Sequence, residues 1–133
     1  RSFAASLSGA EPEGDPDDYR AGGEPAAEFH AAAGAIIAAY RAGGATSEQL
    51  PSGIVVSEFL THGWDLARAT GQEMAVDASA AEFALASARS MLLPEYRGPG
   101  KSFGPEIPVE DSAPAIERLV GFVGRDPGWA PSG

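Results

Sequence analysis

An all-α fold, a helical bundle of the four-helix up-down type, is what this sequence predicts. Three observations predict it: apolar residues recur at spacings of three and four in successive segments, Gly or Pro closes each segment, and no strand longer than a few residues is convincing. The 133 residues suffice for one contiguous core, so a single helical domain over 1–133 is expected.

The opening RSFAASLSGAE sets Phe3 and Leu7 at i,i+4 and stops at Gly9, which reads as the last two turns of a helix. The chain begins with Arg1 rather than Met, so a truncated first helix is expected. Residues 9–24 carry six acidic residues among Gly and Pro and read as an exposed loop. Pro25 suits the first turn of a second helix, whose Phe29, Ala33, Ile36 and Tyr40 share a face up to Gly43-Gly44. A third helix runs from about Ile54 to Thr70 with Gly71 as its C-cap. Asp77 caps a fourth, striped by Ala81, Leu85, Ala88 and Leu92 and closed by Pro94. RGPGKSFGPEIPVED is too rich in Gly and Pro for a regular element and reads as a crossover along the surface. A short last helix, about Ala113 to Val123, turns Ile116, Leu119, Val120 and Val123 inward before Gly124.

Charge and composition exclude several functions. A net charge of −10 leaves no Lys/Arg cluster for phosphates or anionic membrane surfaces, so neither nucleic acid nor membrane is an expected partner. No cysteine is present, which removes disulfides, thiolate metal sites and a cysteine nucleophile. No apolar run approaches a membrane span, and a cytoplasmic enzyme or binding protein fits best.

The chemistry concentrates in SEFLTHGWDLARATGQ, residues 57–72. Glu58 and His62 stand four residues apart and therefore share a helix face, with Asp65 beside them on the wheel. Val55, Leu66 and Phe59 continue the arc, while Ser57, Thr61 and Arg68 collect on the other edge, so the ionisable trio is expected on the buried side. Two readings follow. In one, Glu58 and His62 form a structural pair, with each other or with an arginine across the bundle; in the other they ligate a metal, for which a third ligand is normally needed. His30, the other histidine, is a weak candidate for that ligand. Trp64 reads as core packing, and Asp65 as an acceptor for a ligand histidine or a partner of Arg68 at i,i+3.

EFLTHGWDLARATGQ, RGPG, FGPEIPV and APAIERLVGFVGRDPGW together closely resemble an actinobacterial family of metal-binding proteins. That family is similar to the mycothiol-dependent maleylpyruvate isomerases of the wider DinB-like superfamily. The resemblance implies a DinB-like bundle holding a divalent ion, zinc or nickel, between its first and third helices. It maps Glu58 and His62 onto two metal ligands and puts the third, a first-helix histidine, upstream of Arg1. The implied chemistry is that of a metal-activated small thiol, mycothiol, attacking an electrophilic substrate. Addition, rotation and elimination would give isomerisation, and displacement would give thiol transfer. The alternative is a non-catalytic small-ligand-binding or protein-interaction module on the same fold. In either case a face left open by a missing helix would favour a homodimer.

Overall fold

The computed structural model describes residue 20, residues 22–42 and residues 52–131. The expected helix end at Phe3 and Leu7, and most of the acidic loop, lie outside these. The described part is all-helical, with four α-helices and no strand; a single isolated bridge joins Arg97 and Phe103. None of the helices is long and apolar enough to cross a membrane. The chain groups into two compact units, Arg1–Ser52 and Gly53–Gly133.

In the first unit α1 spans Pro25–Arg41. Pro25 lacks the N–H that a first helical turn cannot use anyway, and the alanine-rich sequence that follows has high helix propensity. The Glu28 carboxylate reaches back to accept from the Gly23 N–H at 2.9 Å. Only Ile36 is buried on this helix; Phe29, expected on the same stripe, is 55% exposed.

The second unit contains α2 (Ser52–Thr70), α3 (Ala78–Met91), a 3-10 turn (Pro94–Tyr96) and α4 (Ala115–Phe122). Gly71, at φ +67°, ends α2: its N–H donates to Arg68 O and the Gln72 N–H to Ala67 O, the paired bonds that let glycine close a helix. Asp77 caps α3 by accepting from the Ala80 N–H at 3.0 Å. The core lies between α3 and α4, where Ala84, Leu85, Ala88, Leu119 and Val123 are buried together. Val56, Leu60, Leu92, Phe103, Ile116 and Phe122 pack around them. Arg118 ties the two helices at the surface through the Glu82 carboxylate. The crossover packs closely where the Ile107 N–H donates to Gly121 O at 2.9 Å and a Cβ at Gly121 would lie 2.8 Å from Ile107 O, and again where Gly104 meets Gly124. Arg97 Nη2 is sealed without a hydrogen-bond partner, its guanidinium lying 4.5 Å from the centroid of the Phe122 ring. The ring's negative face offsets part of that burial.

The orientation of α2 corrects the sequence reading. Its buried residues are Gly53, Val55, Thr61 and Trp64, whereas Leu66, expected inward, is 65% exposed. Except for Val55, the buried side centres near Trp64, about 120° around the wheel from Glu58. Small size explains it. Gly53 lies against the Ser87 side chain, with no room for a Cβ, and the Ser57 hydroxyl contacts both Gly53 O (2.7 Å) and Ala84 O (3.1 Å). Gly and Ser thus bring α2 close to α3, which the bulkier Leu66 and Phe59 arc does not allow.

Candidate functional site

The rotation of α2 sets Glu58, His62 and Asp65 on a half-open edge rather than in the core. Their side chains are 39%, 64% and 37% exposed. The expected buried trio is therefore a rim, and the desolvation that made a partner obligatory is largely absent. The trio is nonetheless organised around the imidazole. His62 Nε2 lies 3.1 Å from Glu58 Oε2, and Nδ1 lies 3.4 Å from Asp65 Oδ2.

Asp65 pairs with an arginine other than the one expected. Arg125 donates from Nη2 to Asp65 Oδ2 at 3.2 Å and from Nε to Oδ1 at 3.4 Å, a two-pronged contact that suits a guanidinium. Arg68, the expected i,i+3 partner, instead lies over the Trp64 ring at 5.3 Å and donates to Pro127 O. Arg125 is positioned by the end of α4. Gly124, at φ +89°, lets its own N–H donate to Gly121 O while the Arg125 N–H donates to Val120 O at 2.8 Å, turning the chain toward α2. The signal in the sequence was Gly124-Arg125 directly after the last apolar stripe.

Glu58, His62 and Arg125 line a cleft of about 400 Å³ within the second unit, a size usual for small-molecule sites. Ile54, Ala88, Met91, Leu92, Phe103 and Val123 supply its apolar wall, and Ser57, Thr61, Tyr96 and Ser102 its other polar groups. Trp64 does not line it; it is 7% exposed and packs inward, the core role expected of it, although its wheel position lies opposite the arc expected to be buried. His30 belongs to the first unit, exposed on α1 with its ring edge-on to Phe29.

The pair has the donor chemistry for a divalent ion. A separation of 3.1 Å between nitrogen and oxygen falls between the ~2.9 and ~3.4 Å edges of octahedral and tetrahedral spheres built on bonds of about 2.05 Å. The same distance is also that of an ordinary His–Glu hydrogen bond. Among the described residues, no group of three or more His, Cys, Asp and Glu side chains is arranged to hold a metal. Glu58 and His62 are thus two donors suited to a metal, not a complete set.

No family model matches the sequence, and no solved structure matches it significantly. The chain is 38% identical over 117 residues to Uncharacterized protein MT0763 and to Uncharacterized protein Rv0738, from two strains of Mycobacterium tuberculosis. The alignment covers 87% of this chain and 64% of each relative, so the chain spans just under two thirds of the length of these proteins.

Proposed function

We propose that this protein binds a divalent metal, zinc or nickel, through Glu58 and His62. In this reading it is a DinB-like isomerase or thiol transferase of the kind represented by the mycothiol-dependent maleylpyruvate isomerases. The observation that carries the reading is the 3.1 Å approach of His62 Nε2 to Glu58 Oε2 on the lip of a cleft of substrate size. A bound ion would supply thiol activation there, holding a small thiol such as mycothiol as thiolate. The residues of the chain do the rest. Glu58 and His62 offer lone pairs from adjacent turns of one rigid helix. Asp65, held by Arg125, lies 3.4 Å from His62 Nδ1 and would steady the ring with Nε2 at the cleft. Phe103, Leu92 and Val123 keep water from one side of a bound substrate. The third ligand is the first-helix histidine that the resemblance implies.

Melting temperatures with and without zinc or nickel, measured on a chain that includes the first helix, test this, because a ligand that binds only the native state raises stability by mass action. Metal is expected to raise the wild-type value and to leave His62→Ala nearly unmoved. Equal responses in both would remove His62 as a ligand. The alternative is a small-ligand-binding module without catalysis on the same fold; a melting temperature unmoved by either metal in a chain that includes the first helix would select it.

A further inference from the structure

Thr61 is the only buried polar residue among those described, 6% exposed, and it lines the cleft one turn from Glu58. Two other hydroxyls on α2 follow the usual course for helical Ser and Thr and contact the carbonyl four residues back, Ser57 to Gly53 O at 2.7 Å and Thr70 to Leu66 O at 2.8 Å. The Thr61 hydroxyl makes no hydrogen bond among the described residues. Nor is it a sealed atom, since Arg97 Nη2 is the only buried side-chain nitrogen or oxygen found both sealed and unpartnered. Its oxygen therefore keeps some exposure, and the residue lines the cleft beside Ile54, Leu92, Phe103 and Val123, with the Ser57, Tyr96 and Ser102 hydroxyls elsewhere in the lining. A hydroxyl held there is matched by a ligand oxygen that replaces water.

The charges of the cleft narrow the ligand further. Arg125 is the only Lys or Arg among its lining residues, and Nε and Nη2 are taken by Asp65 while Nη1 donates to Val123 O at 3.2 Å. Asp65 thus offsets the charge of Arg125, and in the metal-free protein Glu58 at the rim repels a carboxylate. We propose that the cleft is the binding site for a neutral, mainly apolar carbonyl compound whose oxygen accepts a hydrogen bond from Thr61 and whose body lies against Phe103 and Leu92. In taking it as the place of the electrophilic substrate we rest on the reading proposed above, although binding itself requires no metal.

Acetophenone, ethylbenzene and benzoate share a ring and differ in the group that Thr61 would meet. Amide shifts of the metal-free protein, titrated with each, give both the place and the affinity of binding. Acetophenone is expected to shift the amides of residues 61, 92 and 103 and to bind about three- to tenfold more tightly than ethylbenzene, the gain of one hydrogen bond. Benzoate is expected to bind more weakly than acetophenone. Thr61→Val, of nearly the same shape, should bring acetophenone and ethylbenzene to equal affinity. Benzoate binding as tightly as acetophenone, shifts confined to other residues, or an undiminished acetophenone preference in Thr61→Val would each overturn the proposal. A protein that shows no metal-dependent melting but retains the Thr61-dependent preference would lose the metal reading alone.

Discussion

The two sides of α2 are built from opposite materials. The packed side sets Gly53 and Ser57 against α3 and carries Val56, Leu60 and Trp64 beside them. The other edge bears Glu58, His62 and Asp65, each more than a third exposed, and Glu58 and His62 line a cleft. Burial on this helix therefore follows closeness of approach as well as hydropathy. A glycine against Ser87 and a serine hydroxyl satisfied by backbone carbonyls let that side come close to α3. The ionisable edge, by contrast, is held by charge contacts that solvent screens.

Substitutions on the two sides should behave differently. The largest effect is expected from Trp64→Ala on the packed side, which removes a ring 7% exposed. A loss of about 3–5 kcal/mol in denaturant unfolding follows from the cavity left behind. A loss below about 1 kcal/mol would mean that the stripe is not the packed side.

On the other edge, Arg125→Ala should cost only about 0.2–1 kcal/mol, because both partners of the ion pair are partly exposed. Its effect should appear instead in metal binding, weakened about tenfold by calorimetric titration as Asp65 ceases to hold the imidazole. A large stability loss with unchanged zinc affinity would reverse the roles assigned to the two sides.

The smallest effect concerns a contact on neither side. The Ser79 hydroxyl, followed by the backbone N–H groups of Ala80 and Ser79, holds the Asp77 carboxyl below its usual range. Because the folded state lowers this value, the stabilisation is complete above the ordinary carboxylate range and is lost as pH falls through the folded value. Asp77→Ala should therefore lower the melting temperature slightly at pH 7, and the difference from wild type should shrink toward pH 2. A constant difference across that range would mean that the cap does not depend on charge.

How much the sequence determined depends on the range of the interaction. The helices were legible because their signals are local: Pro25 at the start of α1, Gly71 and Gly124 at positive φ after α2 and α4, and the Asp77 cap are decided within four or five residues of each position. The adjacency of Glu58, His62 and Asp65 was legible for the same reason, since helical geometry alone puts them on one edge.

Which side of α2 meets the core was not legible. The sequence offered an arc of Val55, Leu66 and Phe59, and only the shape of α3 at Ala84 and Ser87 favours the smaller stripe. Arg125 stands 60 residues from Asp65, and their pairing depends on the direction in which α4 ends. Thr61 looked like a solvent residue until the rotation of α2 buried it beside a cleft. Periodicity fixes which residues share a face, but the direction of that face is decided by surfaces distant in the chain, whose fit no local pattern encodes.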